Sequence, residues 1–286
     1  MATRPPTEFP RRRVLAVCSL LLVGFGACAD HTVQQLLERA HEGDDLARTQ
    51  IMALGERGAV SGYTAFALGQ VYDPGLFVSG DPKRAAGFYN AARSGEPRAA
   101  HNLAVLVLTG QISEADAGIA PTSLLQLVIS AAERGVPESM VLAGEFYSLG
   151  VQSFPRNDVL ATWWFERAVS ASGDSWARYR LGEAYLASKV RSRDPRFAYD
   201  LLASAAKAGV PEAAQLLAGT ATDPAVALRW ALVSARMNGL DPKAVKPSAV
   251  GLTPAEAKRV SAEVSVWISV HQAAWSAPPR LIRPVT

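Results

Sequence analysis

Ala131-Ala132-Glu133-Arg134-Gly135-Val136-Pro137-Glu138 and Ala205-Ala206-Lys207-Ala208-Gly209-Val210-Pro211-Glu212 follow one pattern almost letter for letter. The same pattern opens at Ala91-Ala92-Arg93-Ser94-Gly95. Looser versions stand at Leu54-Gly55-Glu56-Arg57-Gly58, Ala168-Val169-Ser170-Ala171-Ser172 and Ser234-Ala235-Arg236-Met237-Asn238. The closing positions 58, 95, 135, 172, 209 and 238 cluster around a period of 37 residues, which marks a repeat architecture. Paired small residues followed by Gly read as the end of a helix, with the Gly in the left-handed conformation that stops it. Pro137 and Pro211 then start the next helix, because a first-turn proline gives up an N–H that has no intrahelical partner anyway.

A second pattern follows each of these endings. Leu68-Gly69 with Tyr72, Leu103-Ala104 with Val107, Ala143-Gly144 with Tyr147 and Leu181-Gly182 with Tyr185 occupy equivalent slots, and Leu217-Ala218 opens a fifth. Asp81-Pro82, Asp158, Asp194-Pro195 and Asp223-Pro224 lie between the two patterns and predict N-capped helix starts. Each unit is therefore a helical hairpin: helix A carries Leu-Gly and Tyr, and helix B carries the Ala-Ala pair. One hairpin cannot bury its own apolar face, so neighbours must stack. The expected fold is all-α, an α-solenoid of stacked antiparallel helix pairs. Tyr72, Tyr147 and Tyr185 are expected to be packing residues within it.

This combination resembles the Sel1-like repeat, a branch of the tetratricopeptide class, over roughly residues 32–239. The aromatic pair of helix B is best kept at Trp163-Trp164-Phe165 and near Trp230, while the second unit departs with Leu127-Val128 and a longer connection from Gln111 to Pro121. The resemblance implies an interaction scaffold. Exported members of that family serve in envelope assembly, exopolysaccharide secretion and control of sensor kinases.

The ends of the chain complete the organisation. Arg11-Arg12-Arg13 precedes the apolar run Val14–Phe25, which is too short to span a bilayer comfortably, so residues 1–29 read as an export signal. The junction Ala27-Cys28-Ala29 has two readings: a bacterial lipobox that lipidates Cys28, or ordinary cleavage that discards it. The lipoprotein form is the favoured expectation and would anchor the chain through Cys28. By resemblance to enterobacterial sorting, Asp30 at the third mature position favours the outer membrane. Residues 30–239 are the solenoid of about five units and 240–251 a linker rich in Pro, Lys and Ser. Residues 252–275 are a capping helix opened by Thr253-Pro254-Ala255-Glu256, a capping box, and 276–286 are a flexible tail.

Charge and chemistry narrow the function. The net charge is +3 over 286 residues, and residues 1–27 hold four of the 29 basic residues against one of the 26 acidic ones. The remainder is neutral, which excludes an electrostatic footprint for nucleic acid. Cys18 and Cys28 are the two cysteines, so the mature body has neither a disulfide nor a thiolate metal site. His31, His41, His101 and His271 lack metal-ligand spacing, and His101 reads as a helix-surface imidazole. Nucleophile elbow, P-loop and dinucleotide fingerprints are missing, and Asp recurs once per repeat as capping requires. No cofactor, metal or enzymatic activity is expected.

Candidate contact residues are few. Trp163 adjoins the core-facing Trp164 and so points elsewhere, either to a partner or onto the next repeat. Glu114 and Asp116 lie on the Gln111–Pro121 insertion, as contact residues or as a solvated loop. The expected partner is another envelope protein. The alternative is a periplasmic module that binds or processes cell-wall fragments, which would need a closed polar pocket with perturbed carboxylates. Residues 32–60, at an open solenoid end, serve packing or self-association equally well.

Overall fold

The computed structural model describes residues 26–57, 60, 62–77, 79–120, 123–151, 155–187, 194–241, 245 and 251–275, with only the backbone at 26–29 and at 274. The signal segment before residue 26, the side chain of Cys28, Gly58, most of the 240–251 linker and the 276–286 tail lie outside the described residues. Thirteen α-helices and one 3-10 turn are present among the described residues, and no strand. The chain is an all-α solenoid of helix pairs, and it divides into two compact units, residues 1–96 and 97–286.

The first unit holds α1 (Gly26–His41), α2 (Asp45–Gly55), α3 (Gly62–Tyr72) and α4 (Pro82–Ala92). Leu68 is fully buried in it and Tyr72 nearly so. Tyr72 stacks on Phe88 at 5.8 Å, and Arg84 donates to its hydroxyl at 3.0 Å. Asp73 is buried just past α3, accepting from the Tyr89 hydroxyl and the Gly75 amide at 2.8 Å each. Burial pushes its carboxyl above the usual range, against the pull of those two bonds.

The second unit runs α5 (Pro97–Leu108), α6 (Leu124–Glu133), α7 (Pro137–Leu149), α8 (Asp158–Ser172), α9 (Ser175–Leu186), α10 (Pro195–Lys207), α11 (Pro211–Thr220), α12 (Pro224–Met237) and α13 (Pro254–His271). Each helix packs on the next. Thr253 and Glu256 form the reciprocal capping box that opens α13, and Ala257, Val260 and Val264 bury its inner stripe against α12.

The Leu-Gly pattern has a clear steric cause. A Cβ on Gly69 would lie 2.4 Å from the Tyr89 ring, one on Gly144 2.5 Å from the Phe165 ring, and one on Gly182 2.7 Å from Cγ of Leu202. Each helix-A glycine thus leaves room for a large helix-B side chain to rest on bare backbone. The filler of the gap is this helix-B residue rather than the helix-A tyrosine, and Tyr147 and Tyr185 are only half-buried.

Helix ends, caps and the burial of two side chains differ in places from the sequence reading. Gly135 and Gly209 do turn left-handed at φ 98°, with Val136 N–H on the Ala131 carbonyl and Val210 N–H on the Ala205 carbonyl. Gly95 does not: the amides of Gly95 and Glu96 both return to the Ala92 carbonyl in a right-handed turn. In the looser units the stop falls one residue later, at Gly173 (φ 64°), whose N–H closes on the Val169 carbonyl, and at Gly239 (φ 69°), where Leu240 N–H reaches back to Ala235 as Val136 does to Ala131. Ala131, Ala132, Ala205, Ala206 and Ala92 are fully buried, but Ala91 is exposed. The buried stripe of α4 is Ala85, Ala86, Tyr89 and Ala92, and position 91 lies about 100° off it.

Asp81, Asp194 and Asp223 cap their helices as expected, but the cap of α8 is Asn157, which accepts from the amides of Val159 and Leu160. Asp158 is the first helical residue and pairs with Arg156 at 3.2 Å. Asn157→Ala is therefore expected to cost about 1 kcal/mol of stability and Asp158→Ala less than half of that, measured by denaturant unfolding. Equal losses would restore Asp158 as the cap. His101 is not on a surface: it is fully buried in α5, with Nδ1 2.8 Å from Oγ of buried Ser139 on α7. The polar partner on the neighbouring helix is what lets an imidazole sit in that core.

Candidate functional site: an exposed aromatic face on α8

Helix α8 divides by face. Ala161, Thr162, Trp164, Phe165 and Ala168 turn inward, and Ala161, Trp164, Phe165 and Ala168, at helical spacing, belong to the apolar core shared with α7 and α9. On the other side, Val159 is 59% exposed, Leu160 37% and Trp163 44%. Spacings of three and four place these three and Arg167 on one surface stripe. Leu, Val and Trp side chains left this far out form the kind of apolar patch that marks an interaction surface.

Trp163 is held rather than free. Its ring meets Trp164 edge-on at 4.6 Å, and the Arg167 guanidinium lies 4.8 Å from the Trp163 ring and 5.1 Å from the Trp164 ring. Trp164 is itself locked in the core. An indole fixed by a buried neighbour and a cation loses little rotamer freedom when a partner covers it.

Beneath the opposite edge of α8 is a cleft of about 300 Å³ lined by Leu149, Arg156, Asp158, Thr162, Arg180 and Glu183 among others. Behind it Glu145 accepts from Trp176 Nε1 at 2.9 Å and pairs with Arg180 at 3.0 Å. Arg180 also pairs with Glu183 at 3.0 Å and donates to the Ser148 hydroxyl at 2.6 Å. Burial pushes the Glu145 carboxyl up, opposed by the Arg180 charge and the Trp176 bond. Asp158 and Glu183 thus converge on the cleft, but each carries its own arginine. The perturbed carboxylate, Glu145, is closed off behind them. Such a network fastens α7 to α9.

Glu114 is half-buried and Asp116 exposed on the α5–α6 connection. Asp116 accepts from the Ser113 hydroxyl at 3.0 Å, while Ile112, Ala117 and Ile119 tuck that connection into the core. These acids and Trp163 lie on different helix pairs. Sequence reasoning found Trp163 but missed Val159, Leu160 and Arg167, which the i, i+4 spacing Val159–Trp163–Arg167 would have exposed. It also missed the Glu145–Arg180 pair, which has no sequence signature. Among the described residues no group of three or more His, Cys, Asp and Glu is placed to hold a metal ion, and no helix is long and apolar enough to cross a membrane.

A solenoid of helix pairs with a preset aromatic face defines an α-helical repeat protein. The Sel1 repeat family model matches residues 63–95, 137–172 and 177–210, the segments of α3–α4, α7–α8 and α9–α10. The Sel1 repeat fold is a protein–protein interaction scaffold. Among solved structures the chain is similar to a Sel1 repeat protein from Oxalobacter formigenes, at 21% identity and TM-score 0.55, covering 83% of this chain and 88% of that one. Also similar are a protective antigen with an SLR fold from uropathogenic Escherichia coli (18%, TM-score 0.36, 86% and 70% covered) and an immunity protein from Pseudomonas aeruginosa (21%, 0.38, 70% and 78%). No curated protein matches the chain.

Proposed function

We propose that the protein is an exported, lipid-anchored interaction scaffold that holds another envelope protein on the α8 face, as an adaptor in envelope or exopolysaccharide assembly, secretion or its regulation. The observation that carries the scaffold reading is the half-exposed Trp163, fixed between Trp164 and Arg167 within an apolar stripe. Its location on the periplasmic side, at the outer membrane through Cys28, is supported by Arg11-Arg12-Arg13, the short apolar run and the small residues ahead of Cys28.

The test is a pull-down from membranes of the native bacterium with the tagged wild type, Trp163→Ala and Cys28→Ala. The wild type should recover a defined envelope component. Trp163→Ala should weaken that association about 30-fold, the equivalent of roughly 2 kcal/mol at an interface anchor, with its helical circular dichroism unchanged. Cys28→Ala should release the protein from the membrane fraction. A partner held equally well by Trp163→Ala would remove α8 from the interface, and a wild type recovered alone would remove the adaptor role.

A further inference from the structure

A second surface of the 97–286 unit has a different chemistry. Tyr199, Asp200, Ser204 and Lys207 of α10 face Arg229 and Trp230 of α12, with Trp267 of α13 closing one side, around a cleft of about 340 Å³. That volume suits one large side chain and the backbone that carries it.

Its floor is aromatic and held in place. Trp230 is buried and its Nε1 donates to the Tyr199 hydroxyl at 3.4 Å, while Trp267 meets Trp230 edge-on at 5.8 Å and stacks on His271 at 4.1 Å. Tyr199 remains 41% exposed. The walls differ in charge. Arg229 is cancelled by Glu263 at 3.2 Å, and Ser204 is engaged by Arg178 at 3.3 Å. Asp200 and Lys207 are exposed and without an ion-pair partner among the described residues.

Asp200 and Lys207 are seven residues apart, so they share one face of α10 about 10 Å from each other along the axis. An extended chain rises about 3.3 Å per residue and turns alternate side chains to opposite faces. Residues four positions apart therefore share a face and span about 13 Å, a length that the reach of the Asp200 and Lys207 side chains and their partners accommodates. We infer that this cleft docks an extended segment of a partner polypeptide. In that segment an acidic and a basic residue four positions apart flank a bulky apolar side chain midway between them. The acidic residue meets Lys207, the basic residue meets Asp200, and the apolar side chain enters over Tyr199, Trp230 and Trp267. A neutral saccharide could rest on the aromatic floor, but it would leave both charges unanswered. The inference rests on the scaffold reading and adds a partner chemistry at a surface separate from α8.

The experiment uses the purified whole protein and fluorescein-labelled ten-residue peptides. All carry one central leucine in a Gly-Ser background and differ only in the two residues that flank it two positions to each side: Glu and Lys in either order, Lys and Lys, Glu and Glu, or Ser and Ser. Fluorescence anisotropy should show one or both Glu/Lys peptides binding about tenfold more tightly than the others. Lys207→Glu makes both ends of the cleft acidic and should shift the preference to the Lys/Lys peptide. Lys207 is exposed, so folding is not at stake. Absence of binding by any peptide, equal binding by all five, or an unchanged preference in Lys207→Glu would each overturn the inference. Failure here with a partner still recovered through Trp163 removes the cleft and leaves the scaffold. Peptide binding without any partner recovered from membranes removes the adaptor role alone.

Discussion

Arg180→Ala is expected to lower the stability of the 97–286 unit by about 3–5 kcal/mol, the usual cost of stranding one member of a buried ion pair. The Arg180 side chain is 17% exposed and that of Glu145 8%. Without the guanidinium, Glu145 keeps the Trp176 Nε1 donor, and the Ser148 hydroxyl loses the donor that Arg180 gave it. For a unit of this size the midpoint of thermal unfolding should fall on the order of 10 °C. The double variant Arg180→Leu with Glu145→Gln should recover most of the loss, since a neutral amide still accepts from Trp176. A loss below about 1 kcal/mol would mean that water reaches the pair and screens it.

The pH dependence of this site has a definite sign. Burial raises the Glu145 carboxyl above its ordinary 4.5, so the folded chain holds that proton more tightly than the unfolded chain does. The stabilisation this gives is complete below about 4.5 and is lost as pH rises through the raised folded value. Stability of the wild type measured relative to Glu145→Gln should therefore fall as pH rises from 4.5 and then level off. Using the difference removes opposite contributions such as Asp44 and Glu256, whose carboxyls are lowered by hydrogen bonds from the Ala47 amide and from Thr253. A flat difference would mean that the pair compensates burial fully.

Gly144→Val is the second large effect, expected at about 3 kcal/mol or more. A Cβ there would lie 2.5–2.9 Å from three atoms of the Phe165 ring, and a branched side chain leaves α7 and α8 no way to stay in contact. Gly144→Ala should cost less, because the gain in helix propensity of about 1 kcal/mol offsets part of the clash. Phe165→Ala should make Gly144→Val tolerable in the double variant, a coupling that urea unfolding of the four proteins reads directly. Gly87, exposed in α4 with nothing within 4 Å of its would-be Cβ, is the control. Gly87→Ala should stabilise by about 0.5–1 kcal/mol. If Gly144→Val and Gly87→Ala behave alike, the close approach of α7 and α8 is not what the glycine serves.

The periodic part of this protein was legible because it is written in local terms. Ala131-Ala132 with Gly135 ends a helix through bonds that span five residues, and Thr253 with Glu256 opens one within a single turn. Register was legible only where the letters were strict. At Gly173 and Gly239 the stop moved by one residue, and at Asn157 the cap moved by one, because an Asn and an Asp side by side compete for the same role and backbone geometry decides between them.

By itself, then, the sequence determined the all-α repeat, its helix starts, most of its stops and the candidacy of Trp163. These depend on spacing along one chain. The tertiary structure alone decided which residues touch across helices: that Phe165 fills the space over Gly144 while Gly87 faces solvent, that His101 is buried on Ser139, and that Glu145 and Arg180 meet inside. It also decided that Val159, Leu160 and Trp163 stay out in solvent with Arg167 pinning the ring. Exposure and pairing are set by what the neighbouring helix presents, and that information is carried by residues twenty to forty positions away.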